Sequence, residues 1–359
     1  MDAWYGASMR PVRYVRPAVI AAAIAALHEE RIAALPPSDS LAQFIAGGTN
    51  LVDLMKLQII RPAMLVDINW LPMDQITPNG AGGLRLGAGA RNAETANHPQ
   101  VQKHYPLLSA AMLSAASPQI RNMASNGGNL LQRTRCSYFY DHATPCNKRT
   151  PGVGCAAIGG LNKYHAILGA SAHCIATHPS DMCVALAALE ATVHVQSDGG
   201  TRDIDFADFH RLPGIHPERD NTLLPGELIT HIDLPELDRF ASHSAYLKIR
   251  ERLSYAFGLV SVAVALDLDD TGLIREARIA LGGVAHKPWR TSAAELCLVG
   301  VVPQRQAFER CAEMLLEGAL AQHSNGFKIV LAKRTVVRAL EAATAGTAQT
   351  HDFYMGALE

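Results

Sequence analysis

Between residues 132 and 170 the sequence loses all hydrophobic period, while the segments on either side keep theirs. The chain must therefore fold around this stretch rather than bury it as a helix or strand. The stretch is also where the cysteines are. Cys136, Cys146, Cys155 and Cys174 fall within 39 residues, with nine, eight and eighteen residues between them, and Cys183 follows closely. Clustered cysteines in a chain of 359 residues that shows no convincing secretory signal point to metal or redox chemistry rather than to a disulfide scaffold. Four thiolates complete either a zinc site or an iron–sulfur cubane. Zinc sites usually carry paired CxxC knuckles, which this segment lacks, so its irregular spacing suits an iron–sulfur cluster better. Cys183, Cys297 and Cys311 sit in helix-like apolar stretches and read as core thiols. His142, His165, His173 and His178 crowd the same region, each open to reading as a ligand or as a surface imidazole. Arg133, Arg135, Lys148 and Arg149 flank the cysteines, either offsetting the charge of a thiolate-bound cluster or forming a solvated basic patch.

The remainder of the chain is ordinary globular sequence. Hydrophobic residues make up 48% and charged residues 18%, ample for a core, and the length fits two or three domains. Lys and Arg number 32 against 33 Asp and Glu, and aromatics are 6%, so neither a basic field nor a stacking platform for nucleic acid is present. The apolar run 18–27 is too short to span a bilayer, and His28-Glu29-Glu30-Arg31 closes it. Arg10, Arg13 and Arg16 precede it as in a signal peptide, but the cleavage pattern is poor; a buried or amphipathic first helix is expected, with Met9 as an alternative start. Strands are expected at 41–46, 64–68, 84–90, 192–196, 245–249, 260–268 and 275–281. Helices are expected at 51–57 with Asn50 as N-cap, 101–116, 182–189 behind Pro179-Ser180-Asp181, 292–298, 304–321 and 327–343. Residues 117–129 read as a polar loop. A boundary falls near 235–242. Strands followed by helices give an α+β chain of at least two domains.

Two glycine loops complete the pattern. Ile45-Ala46-Gly47-Gly48-Thr49-Asn50 places a glycine pair between a strand and a helix, where backbone N–H groups can approach a phosphate. The second, 119–129, offers Arg121, Ser125 and another pair, Gly127-Gly128. Neither fits GxGxxG, so a Rossmann reading is unsupported. Each pair alone is equally readable as a tight turn; together they could clamp the two phosphates of a dinucleotide.

These residues resemble the FAD-binding medium subunits of the molybdenum hydroxylase (xanthine dehydrogenase) family. The resemblance rests on Ala46-Gly47-Gly48-Thr49-Asn50-Leu51, Ile120-Arg121-Asn122, Ser125-Asn126-Gly127-Gly128-Asn129, Pro179-Ser180-Asp181 and Leu281-Gly282-Gly283-Val284-Ala285, and covers about residues 9–343. Within the family, the segment from Leu131 to Asp141 and Thr144-Pro145-Cys146-Asn147-Lys148-Arg149 resemble the insertion that carries a 4Fe–4S cluster in periplasmic aldehyde oxidoreductases.

The resemblance implies a two-part FAD-binding domain of the PCMH/CO-dehydrogenase flavoprotein type at 9–235, with the iron–sulfur insertion at about 132–175. A smaller C-terminal α/β domain of the CO-dehydrogenase flavoprotein type follows at 240–345. It implies FAD contacts at Ile45, Ala46, Gly47, Gly48, Thr49, Asn50 and Leu51 in the first loop. In the second loop it implies Arg121, Ser125, Asn126, Gly127, Gly128 and Asn129, with Asp181, Ile229 and Lys248 elsewhere. The implied cluster ligands are Cys136, Cys146, Cys155 and Cys174. Electrons would arrive from a large molybdenum-cofactor subunit through a small 2Fe–2S subunit and leave from the FAD to an external acceptor. No catalytic triad or paired carboxylates stand out in this chain. A hydroxybenzoyl-CoA reductase-type complex and a zinc-stabilised assembly protein are the competing readings. The expected location is the periplasm, by co-export with a partner, or otherwise the cytoplasm, without membrane insertion.

Overall fold

The computed structural model describes residues 9–28 and 41–348. Positions 1–8, ahead of the alternative start, and 29–31, which close the first apolar run, lie outside the described residues.

The N-terminal layer is a parallel sheet of β1 (Arg13–Val15), β2 (Ala42–Ile45) and β3 (Met64–Asp67), in the order β1-β3-β2. Helix α1 (Ile20–His28) covers it. Ala23 and Ile24 enter the core beside Met64 and Val66, while Ala21, Ala22 and Ala25 stay exposed. The wholly apolar run thus packs on one side only. The first glycine loop joins β2 to α2 (Leu51–Lys56).

Next come β4 (Ile76–Pro78) and β5 (Leu84–Gly87), then a run of short helices: α3 (Asn92–Asn97), α4 (Pro99–His104), α5 (Pro106–Ser114), α6 (Pro118–Arg121) and α7 (Asn126–Leu130). The single helix expected over 101–116 is broken at Tyr105 (φ −133°, ψ 52°). Pro106 disfavours a helical residue before it and cannot donate to the preceding turn. The loop expected over 117–129 is mostly helical. Ser117 Oγ accepts from the Ile120 amide (3.4 Å), and Ser125 Oγ accepts from the Gly128 amide (3.3 Å), so each serine starts a helical turn.

Residues 131–180 are irregular apart from α8 (Ser137–Tyr140). Ser180 then caps α9 (Asp181–Ala188) through the Cys183 amide. Strands β6 (Thr192–Ser197) and β7 (Gly200–Asp205), helix α10 (Phe206–Phe209) and strand β8 (Leu228–Leu234) follow. They complete an antiparallel sheet in the order β4-β5-β8-β6-β7.

The C-terminal part is a meander of β9 (Ser244–Ile249), β10 (Val260–Leu268) and β11 (Ile274–Gly282), in the order β11-β10-β9, with α11 (Ser292–Leu296), α12 (Arg305–Leu315) and α13 (Phe327–Ala345). Strand β10 is buried on both faces. Val260, Val262, Val264 and Leu266 join the core beneath α12 and α13, whereas Ala263 and Ala265 face the core containing α5 and α9. Small residues on that face let the helices of the first domain lie close against the second domain's sheet. No helix among the described residues is long and apolar enough to cross a membrane.

Candidate functional site

Between these layers runs a cleft of about 1730 Å³, larger than the roughly 300–1,000 Å³ of ordinary small-ligand pockets. The two glycine loops meet in its wall. A Cβ on Gly47 would sit 1.8 Å from the Met123 carbonyl oxygen, so the first loop rests directly on the backbone of the second and only glycine permits that approach. Gly48 has φ +69°, a second glycine requirement.

Asn50 stands at the N-cap position of α2, as expected, but its side chain makes no cap hydrogen bond there. Its Oδ1 instead accepts the Arg133 amide (2.9 Å), tying the loop to the start of the cysteine segment. Its Nδ2 is buried with no partner. An orphaned donor on a cleft wall, beside glycine backbone that a side chain would block, fits a polar, phosphate-bearing ligand such as FAD.

Ile45, Ala46, Gly47, Gly48, Thr49, Asn50, Leu51, Arg121, Ser125, Gly128, Asn129, Asp181 and Lys248 all line this cleft. The structure thus gathers residues more than 200 positions apart. Asp181, at the start of α9, accepts from Tyr246 Oη (2.7 Å) and pairs with Lys248 Nζ (2.7 Å). Burial, with the Asp181 charge adding to it, pushes the Tyr246 hydroxyl well above its ordinary value. Lys248 is therefore a buried partner of Asp181 and not a solvated strand lysine.

Asn126, Gly127 and Ile229 lie behind the wall. Asn126 is fully buried, donating to Gly87 O and Thr95 Oγ1 and accepting from Asn92 Nδ2, which locks α7 to α3 and β5. Gly127 packs on Ala88, where a Cβ would come within 3.0 Å. Ile229 points into the core from β8. The cleft also takes in Arg133, singled out in the sequence only as a neighbour of the cysteines; Asp220, Glu227, Tyr255 and Phe257 line it too, and the sequence reading missed these four. They sit in aperiodic segments, where no local signal marks them.

Cys136, Cys146, Cys155 and Cys174 converge on a small adjoining pocket with Phe139, Ala157 and Ala176, and Cys136 borders both spaces. None of the four is in a disulfide. Cys146 and Cys155 face each other across an antiparallel bridge. Burial pushes the Cys136 thiol up to about 11. The Cys174 thiol donates to Cys155, lowering Cys155 and raising Cys174. Backbone amides also point at sulfur: those of Tyr138 and Phe139 at Cys136, those of Ala157, Ile158 and Ile175 at Cys155, and that of Ala176 at Cys174. Amide donors around four converging sulfurs in an apolar pocket fit a thiolate-bound iron–sulfur cluster.

His165 Nε2 lies 3.1 Å from Cys136 Sγ, and burial holds its pKa at about 4. His142 is turned away, to Leu57 O. The basic residues are not a solvated patch. Lys148 is buried and pairs with Asp220 (2.5 Å), which also pairs with Arg133, and Arg149 bonds the Tyr138 and Phe139 carbonyls. Cys183 and Cys311 are fully buried in apolar cores, and Cys297 packs against one.

Residues 9–237 match the FAD binding domain in molybdopterin dehydrogenase, and residues 244–343 match the CO dehydrogenase flavoprotein C-terminal domain. The chain is 50% identical over 305 residues to the aldehyde oxidoreductase FAD-binding subunit PaoB of Escherichia coli strain K12, covering 85% of this chain and 92% of that one. Among solved structures, quinoline 2-oxidoreductase from Pseudomonas putida 86 superposes with a TM-score of 0.69 at 25% identity, over 94% of this chain and 99% of the other. Carbon monoxide dehydrogenase from Hydrogenophaga pseudoflava gives a TM-score of 0.72 at 24% identity with the same coverage, a likeness of fold. The chain belongs to the family of FAD-binding medium subunits of the molybdenum hydroxylases.

Proposed function

We propose that this chain is the FAD- and 4Fe–4S-carrying electron-transfer subunit of a molybdenum-dependent aldehyde oxidoreductase, acting with a large molybdenum-cofactor subunit and a small 2Fe–2S subunit. The observation that carries the reading is the convergence of Cys136, Cys146, Cys155 and Cys174 on a pocket sharing a wall with the FAD-sized cleft. The extensive identity with a subunit named for aldehyde oxidoreductase supports the substrate class.

Bound FAD supplies the step between one-electron and two-electron carriers. The chain's own residues hold and shield it. The first loop and the amides around Ser125 take the phosphate end, and Asn50 Nδ2 gains the acceptor it lacks. The Asp181–Lys248 pair, buried at the foot of α9, keeps that part of the cleft polar without an uncompensated charge. At the cysteines, burial and amide donors oppose each other: burial disfavours thiolate and the amides favour it.

What weighs against zinc is the sequence spacing: zinc sites usually carry paired CxxC knuckles, and nine, eight and eighteen residues separate these four cysteines. Replacing Cys136 by Ser tests the assignment: iron is expected to fall away while FAD binding partly survives. Unchanged iron content would overturn the ligand set. Export in complex with a partner would place the subunit in the periplasm; fractionation of cells expressing all subunits, against cells lacking the large one, checks this.

A further inference from the structure

On the open face of the five-stranded sheet, away from the cleft and the cysteines, two imidazoles and a carboxylate come together. Strands β6 and β8 pair so that His194 stands opposite His231, and the rings stack with centroids 4.1 Å apart and planes 14° from parallel. Asp233 lies two residues along β8 from His231 and so projects from the same face. One nitrogen from each ring and one carboxylate oxygen all lie within 4.8 Å of one another.

The other ring nitrogens are already engaged. His194 Nδ1 meets Asp203 Oδ1 on β7 at 2.6 Å, and His231 Nδ1 lies 3.0 Å from Thr230 Oγ1. That leaves both Nε2 atoms buried without a hydrogen bond, His194 Nε2 being 3.3 Å from Asp233 Oδ2 but poorly aimed at it. Buried polar atoms are seldom left unpaired. Metal-bound histidines commonly engage their second nitrogen with a carboxylate or another acceptor, which fixes the ring and its tautomer. The Asp203–His194 contact has that form. Arg85 grips both oxygens of Asp233 (2.9 and 2.8 Å). A carboxylate has about four acceptor sites, so one on Oδ2 remains to face a cation.

We propose that His194, His231 and Asp233 bind one divalent transition-metal ion through two imidazole nitrogens and one carboxylate oxygen, with Asp203 and Thr230 orienting the rings. Mixed nitrogen and oxygen donors suit zinc, nickel or copper, whereas magnesium and calcium prefer all-oxygen shells. The ion would clamp β6 to β8 and leave a coordination position toward solvent.

The test is equilibrium dialysis of the FAD-loaded full-length chain against Zn²⁺, and separately Mg²⁺, after mild chelation that leaves flavin absorbance unchanged. One Zn²⁺ is expected to bind beyond any held at the cysteines, with little Mg²⁺. The double variant His194→Ala/His231→Ala is expected to bind this zinc at least 100-fold more weakly while keeping its flavin. Asp203→Asn, which retains all three ligands, is expected to weaken binding about 10- to 100-fold. If the double variant loses flavin through misfolding, Asp203→Asn decides, and unchanged zinc affinity there overturns the proposal. Equal zinc binding by the wild type and a folded double variant, no additional zinc in the wild type, or magnesium binding as tight as zinc would each overturn it too.

Discussion

Gly47 and Asp220 each owe their role to neighbours far away in the chain. For Gly47 the need for a bare backbone is legible as a glycine pair between strand and helix. Its reason, the Met123 carbonyl of the second loop, is visible only once the loops meet. Gly47→Ala should push the loops apart and reduce bound FAD at least tenfold, read by flavin absorbance, while circular dichroism keeps the wild-type shape. Asp220 gave no signal in the sequence. Burial alone would raise its carboxyl, but Arg133 and Lys148 overcome this and hold it well below its ordinary value. A carboxyl depressed in the fold adds stability above its unfolded pKa of about 4, and loses it as pH falls through that range toward the folded value. Asp220→Asn leaves two cations short of a partner. A loss of about 3 kcal/mol is expected at pH 7, the low end for a broken buried pair because 17% of the Asp220 side chain is exposed. Urea midpoints should show the gap to wild type narrowing below about pH 4; a gap independent of pH would contradict this.

Among the elements, those with strong periodicity were legible and those shaped by tertiary contact were not. Strand β10 announced itself because Val, Ala and Leu fill both faces. Strand β8 did not. Its sequence LITHIDL puts Thr230, His231 and Asp233 on the open face, and a bulge in its pairing with β6 disturbs the register. Helices α6 and α7 were hidden because a four- or five-residue helix has no hydrophobic period. Their serine caps were the available cue. Ser125→Ala removes one of these caps and should cost about 1 kcal/mol, seen as a lower thermal midpoint. The loop geometry of the site depends on such caps. That explains why thirteen of the sixteen FAD-contact positions expected from the family resemblance line the cleft while Asn126, Gly127 and Ile229 support it from behind.

At the scale of the whole molecule, the aperiodic cysteine segment is the junction of the architecture. It connects the FAD-binding domain's second loop to α9. It packs under the C-terminal domain, where Lys328 Nζ reaches the His165 and Gly283 carbonyls. The region is held by buried neutral histidines. Burial lowers His178 and His286 well below their ordinary value and His210 to about 4. Below about pH 6.5 the unfolded chain takes up protons that the folded one refuses, so stability falls as pH falls, the His210 share of that loss running down to about 4. Thermal midpoints measured from pH 7 to pH 4 should decline mainly in that window; a flat profile would contradict the buried-neutral assignment.

The central claim, that one chain holds both FAD and a four-cysteine iron–sulfur cluster, is tested most directly by counting iron, zinc and flavin per chain after anaerobic purification. About four iron atoms and one FAD per chain, with zinc well below one, is the predicted result. Zinc in place of iron, with no flavin absorbance, would contradict it.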